Sequence, residues 1–308
     1  MKTPSARSIS SVLAVGVAAA VGALIVRRMK SAGIAGIEQR TGTSANGIEY
    51  WVAGAGPKTM LQLQGGPGSQ IQGGWMRRLM VAGMKPYLRA GYQVWQVTRA
   101  RHMPPGHTVA DMADDYARFI REQMGGRVDV VYGLSYGGMI ALYLAANHPD
   151  LVGRVVLAFS AATVTDAGKD LDARIARASA EGRHTDAGAA GLEFMLPGER
   201  WRPVRRVLAW LAGRVFAPTS VPPGDLLVEL DAELAFDGRE AAGRIQAPVL
   251  LLAAGEDIFF SPEIIEQTAE LIPDCTVVTY PGFTHMQGGT SSRTPADVLA
   301  WLEESHAG

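Results

Sequence analysis

Short apolar runs recur along most of the chain, spaced widely enough to leave room for a helix between most of them. Residues 48–53, 59–64, 92–97, 128–132, 154–160, 248–254 and 275–280 are rich in Val, Leu, Ile and aromatics, as strands buried on both faces of a sheet require. Between them the pattern changes to helical. Thr108 opens a helix to about Met124, with Asp111 placed three residues on as in a capping box and Gly125-Gly126 as the stop. Residues 139–147 and 263–271 read as further helices, and a last one starts near Pro295. Such alternation predicts an α/β protein with a mostly parallel central sheet and helices on both faces. Gly54-Ala55-Gly56-Pro57 suits a hairpin or tight reversal between the first two runs.

The alternation breaks between residues 161 and 243. Nothing there reads as a strand, and helical spacing occupies about 171–180, 199–216 and 224–234, interrupted at Pro197-Gly198, Pro218 and Pro222-Pro223-Gly224. A helical cap inserted at 161–243 is expected, dividing a core made of 48–160 and 244–308. In the second of these helices Trp201, Val204, Val207, Leu208, Leu211, Val215 and Phe216 fall near helical spacing, with Arg202, Arg205, Arg206 and Arg214 on a basic side. Packing of that apolar face on the core is favoured over a membrane-facing role.

The N-terminus reads as a separate unit over residues 1–30. Residues 9–26 are almost wholly apolar, with Lys2 and Arg7 before them and Arg27, Arg28 and Lys30 after. At 1.5 Å per residue this run spans roughly 27 Å, close to a bilayer's hydrocarbon core. The basic flank favours a single membrane-anchoring helix over a cleaved export signal, which stays as the alternative. The loop charges lean towards a cytoplasmic catalytic domain. Residues 31–47, rich in Gly, Ser and Thr, read as a linker.

Composition narrows the remaining classes. In 308 residues, 47% are hydrophobic, enough for one large core, and the formal net charge of −1 supplies no basic excess for a nucleic-acid partner. Cys275 is the only cysteine, so neither an intrachain disulfide nor a thiolate metal cluster can form. No metal or other cofactor is expected.

The chemistry concentrates at Gly133-Leu134-Ser135-Tyr136-Gly137-Gly138, between an apolar run and a helix. A serine flanked by glycines at a sharp strand-to-helix turn projects its hydroxyl above the sheet edge, as a nucleophile elbow does. A neutral hydroxyl is a weak nucleophile and needs a base, which in turn needs a carboxylate to fix its tautomer. His285 and Asp257 each follow a late strand, where side chains reach the carboxyl edge of a parallel sheet. Ser135, Asp257 and His285 are therefore the expected catalytic set, with Glu256 as the rival acid. Asp257 is preferred because Ile258-Phe259-Phe260 would pack after it and hold the turn. His148, at a helix end far from Ser135, is set aside. Gln64-Gly65-Gly66-Pro67-Gly68-Ser69 follows an early strand, and its glycines would let backbone amides approach a developing oxyanion. Arg99, Arg101, His102 and His107 read as a solvated loop.

Over residues 48–308 these features resemble the α/β-hydrolase superfamily, and Gln64-Gly65-Gly66-Pro67-Gly68 is similar to the His-Gly-Gly-Pro-Gly loop of its proline iminopeptidase-like members. The resemblance implies that the backbone amides of Gly66 and Tyr136 form the oxyanion hole. Gln64 stands where those members carry His, and Thr98-Arg99-Ala100-Arg101-His102 departs from their Asp-x-Arg-Gly-x-Gly stretch, so an iminopeptidase assignment does not follow. The expected activity is metal-independent hydrolysis of a carboxylic ester, of a small-molecule acyl substrate that is hydrophobic or lipid-like, through an acyl-enzyme. An aminopeptidase or amidase is the first alternative, and a non-catalytic hydrolase-fold binding protein at a membrane is the second.

Overall fold

Successive residues of a strand face opposite sides of its sheet, and here that alternation fills two separate cores. Leu61, Val131, Leu157 and Leu251 point into one, whereas Met60, Val130, Val156 and Leu250 point into the other. The computed structural model of the protein describes residues 36–196, 198–215 and 217–304. Its eight strands are β1 (Gln39–Thr43), β2 (Glu49–Ala53), β3 (Lys58–Leu63), β4 (Tyr92–Val97), β5 (Val128–Leu134), β6 (Val152–Ala158), β7 (Val249–Ala254) and β8 (Cys275–Tyr280). They form one sheet in the order β1-β2-β4-β3-β5-β6-β7-β8. β1 and β2 pair antiparallel, as do β2 and β4, and every other pair is parallel.

Helices cover both faces of this sheet. α1 (Gly74–Arg89) and the last helix, α11 (Arg293–Glu304), supply Val81, Met84, Val298 and Trp301 to one core. The other is filled by Met112, Tyr116 and Phe119 of α2 (Val109–Gln123) and by Met139, Ile140 and Leu144 of α3 (Tyr136–Asn147). α2 begins with the expected reciprocal capping box between Thr108 and Asp111. Between β6 and β7 come α4 (Asp166–Ala180), α5 (His184–Met195), α6 (Arg202–Val215), α7 (Pro223–Leu234) and α8 (Arg239–Ala242), with no strand among the described residues. α9 (Pro262–Leu271) and the short α10 (His285–Thr290) flank β8.

Several expectations need correction. β2 and β3 are not a hairpin, because β4 lies between them, and residues 54–57 make a reversal that crosses it. β1 lies inside the stretch read as a linker, so residues 39–43 belong to the sheet edge. α1 has no counterpart in the sequence reading, since Gly83 and Pro86 interrupt its helical composition. α5 likewise has no counterpart there, because its stretch of Gly and Ala carries few large side chains to mark a helical face. In α6, Val207 and Leu211 face outward, 60% and 47% exposed, and among the described residues of the expected apolar face only Val204 is buried. The apolar segment at 9–26 lies outside the described residues, and no helix among those described is long and apolar enough to cross a membrane.

Two glycines separate backbone need from mere tolerance. A Cβ on Gly137 would lie 2.3 Å from the carbonyl oxygen of Leu63, whereas one on Gly83, mid-helix and exposed, meets nothing within 4 Å. Gly137→Ala is therefore expected to lower stability by about 1–3 kcal/mol, and Gly83→Ala to raise it by up to about 1 kcal/mol. Denaturant midpoints of the two variants check both signs.

Candidate active site

β5 runs into α3 through a single residue, Ser135, held at φ 51° and ψ −119°. That region is costly for a residue with a Cβ and survives only where the surroundings enforce it. Here they do so by contact. A Cβ on Gly133 would lie 2.5 Å from the carbonyl oxygen of Gly137, and one on Gly138 would lie 2.3 Å from Cβ of Ser160. The Ser135 N–H donates to the carbonyl of Ala158 at 3.0 Å, and its own carbonyl accepts from Gly138 at 2.7 Å.

His285 opens α10, whose N-terminus is capped by Thr284 and Gln287. Its Nδ1 lies 2.7 Å from Oδ2 of Asp257, and the side chains are 9% and 1% exposed. The other carboxylate oxygen of Asp257 accepts from the N–H groups of Phe259 at 2.8 Å and Phe260 at 3.3 Å, so the turn after β7 fixes the acid. Glu256 points to solvent. The imidazole is packed by Phe259, Phe194 and Phe260 at ring separations of 4.9, 5.6 and 5.8 Å. His148 is engaged elsewhere, 2.7 Å from Asp114.

Ser135 and His285 line one cavity of about 460 Å³, together with Gln64, Gly65, Gly66 and Pro67. The glycine loop backs directly onto the elbow, since a Cβ on Gly65 would lie 3.0 Å from Cβ of Ser135. Gly66 adopts φ 65° with open space at its Cβ position. Tyr136 is the first residue of α3, where an amide has no acceptor within the helix. Asp172, Ile175 and Phe194, from the helices between β6 and β7, complete the wall opposite the sheet.

The reading of residues 99–107 as a solvated loop fails at Arg99, which is 1% exposed. Arg99 Nη1 donates to the carbonyl of Gln64 at 3.1 Å and Nη2 to that of Gly66. Nη2 also donates to Oε2 of Glu229 at 2.9 Å, and Nε lies 2.8 Å from Oε1. Burial disfavours the guanidinium charge, but Glu229 outweighs that and raises its pKa. Glu229 also accepts from the Gly68 N–H, and its carbonyl accepts from the Tyr136 hydroxyl at 2.7 Å. One buried ion pair thus joins the glycine loop, the residue after Ser135, and α7.

Glu229 is the middle of three buried acids on α7. Asp225 accepts from the His102 and Met103 N–H groups at 2.9 Å each, and Glu233 pairs with Asp172 of α4. Leu227, in contrast, is 42% exposed, so the polar stripe faces inward. The four-residue spacing of Asp225, Glu229 and Glu233 was visible in the sequence, but its direction was not.

A model of the alpha/beta hydrolase fold matches residues 60–289 of the chain. The chain belongs to that family. Among this hydrolase's curated relatives is the pimeloyl-[acyl-carrier protein] methyl ester esterase of Neisseria meningitidis serogroup C, 30% identical over 211 residues, 64% of this chain and 77% of that protein. The bifunctional esterase/perhydrolase DCH of Acinetobacter calcoaceticus is 26% identical over 239 residues, 70% of this chain and 83% of that one. The solved enol-lactonase of Burkholderia xenovorans LB400 shares the fold at a TM-score of 0.66 and 20% identity, covering 86% of this chain and all (100%) of that one.

Burial raises the Asp172 carboxyl to about 6, and burial together with the Asp172 charge raises Glu233 well above the usual carboxylate range. A carboxyl that holds its proton more tightly when folded stabilises the hydrolase at low pH and loses that contribution as pH rises through the folded value. Unfolding free energy should therefore fall as pH rises from about 4, through about 6 for Asp172 and further for Glu233, and Asp172→Asn should flatten that slope in denaturant titrations. Removing one partner of the Arg99–Glu229 pair is expected to cost about 3–5 kcal/mol, because the other charge is left buried alone. Glu229→Ala in the same titrations checks this.

Proposed function

We propose that the protein is a serine esterase in which Ser135 is the nucleophile, His285 the general base and acid, and Asp257 the group that orients His285. The observation that carries this reading is the juxtaposition, in one cavity, of a serine held at φ 51° and an imidazole whose far nitrogen is 2.7 Å from a buried carboxylate. With Nδ1 engaged by Asp257, Nε2 is the nitrogen left to take the Ser135 proton. Attack on an ester carbonyl then gives a tetrahedral oxyanion, for which the Gly66 and Tyr136 amides are the donors. Collapse expels the alcohol, protonated by His285, and water activated by the same imidazole releases the acid. The helices between β6 and β7 act as the cap that selects the substrate. Arg99 is a positioning residue, since it holds the carbonyls on either side of Gly65 and so fixes the glycine loop beside Ser135.

Cleavage of esters rather than amides is favoured by the relatives named above. Turnover of p-nitrophenyl acetate and butyrate tests the reading. Ser135→Ala should lower kcat by on the order of 10³–10⁶-fold, and Asp257→Asn by roughly 10⁴-fold through loss of the correct tautomer. Near-normal turnover by folded Ser135→Ala would overturn the assignment, and release from proline amides without ester turnover would replace it by the amidase.

A further inference from the structure

A second cavity adjoins the one that holds Ser135. It has a volume of about 250 Å³ and lies among α4, α5 and α6. Ile175, Phe194 and Met286 line both spaces, so the two are contiguous across those side chains. Among the other described side chains around the second cavity, only Ser179 and His184 are polar. The space exists because small residues bring two helices together at their backbones. A Cβ on Gly188 would lie 2.4 Å from the carbonyl oxygen of Ala209, and one on Gly213 would lie 2.0 Å from that of His184. Beside these contacts Ala187, Gly191 and Ala212 are too short to fill the gap.

Water gains few hydrogen-bond partners in a space so poor in polar groups. A cavity of this kind next to a reactive serine has a natural occupant in an apolar part of the substrate. We propose that the space among α4, α5 and α6 receives an unbranched alkyl chain of the ester, bound past Ile175, Phe194 and Met286. The proposal rests on Ser135 being the nucleophile. It narrows the substrate class to esters with a chain of several methylenes on either the acyl or the alcohol side. Met286 suits such a boundary, because its unbranched side chain adapts to chains of different length.

Two series of esters test it. In one the acyl chain grows from acetyl to dodecanoyl on a fixed p-nitrophenyl group, and in the other the alcohol grows from ethyl to dodecyl on acetate. In the series whose chain enters the cavity, kcat/KM should rise by about fourfold per methylene until the cavity is full and then level off. Gly191 has open space at its Cβ position, so Gly191→Leu places bulk in the cavity without a backbone clash. It should lower the ratio of octanoyl (or octyl) to short-chain kcat/KM at least tenfold. Esters cleaved with no dependence on chain length in either series would overturn the proposal while leaving the esterase reading in place. An unchanged preference in folded Gly191→Leu would overturn it too. If no ester is cleaved, the esterase reading falls, and calorimetric binding of 1-butanol to 1-decanol by Ser135→Ala decides the cavity alone. Affinity rising about fourfold per methylene supports the chain site, and affinity independent of length removes it.

Discussion

The backbone of Ser135 is held in a left-handed conformation, and the neighbouring structure is built closely enough to keep it there. β3, β5, β6 and α3 all converge on this turn. Gly133, Gly137 and Gly138 are positions where a single Cβ would meet backbone or Ser160 at 2.5 Å or less. Strain of about 1–3 kcal/mol at one residue is tolerated because the sheet and α3 together leave no other path for the chain. The consequence is a hydroxyl fixed at the carboxyl edge of the parallel strands, facing the cavity that His285 and the glycine loop share.

Around that turn, the site is assembled from distant parts of the chain by a small number of buried polar contacts. Asp257 is held by two amides of its own turn and aligns His285. Arg99 fixes two carbonyls of the glycine loop, and its partner Glu229 belongs to α7. Asp225 and Glu233 tie the same helix to the loop after β4 and to α4. α7 is thereby locked to the sheet, whereas α5 and α6 meet mainly each other through small residues and enclose open apolar space. Rigid support on one side and unfilled volume on the other suit a site that fixes its chemistry and selects by the shape of an apolar group.

How much of this was legible in the sequence follows from the range of the forces involved. The strands of the parallel core, the capping box at Thr108 and the glycine-flanked Ser135 are local patterns, and each lies close to where its composition places it. The pairing of Asp257 with His285 was reachable because both follow strands that end at the same sheet edge. Arg99 was misread because its burial depends on Glu229, 130 residues away, and an isolated arginine in an irregular loop carries no local sign of that partner. The inward stripe on α7 was lost for the same reason: acids at four-residue spacing ordinarily face water, and only the positions of Arg99, Asp172 and two loop amides reverse them. The crossing of β4 between β2 and β3 is a matter of topology, which turn residues do not encode.

The central claim is that Ser135 is an activated nucleophile served by His285. Treating the folded protein with a fluorophosphonate and mapping the adduct by peptide mass spectrometry tests it directly. One phosphonyl group per chain on Ser135, with labelling slowed by orders of magnitude in His285→Ala, is the predicted result. A folded protein that takes no label, or takes it on another serine, would contradict the account.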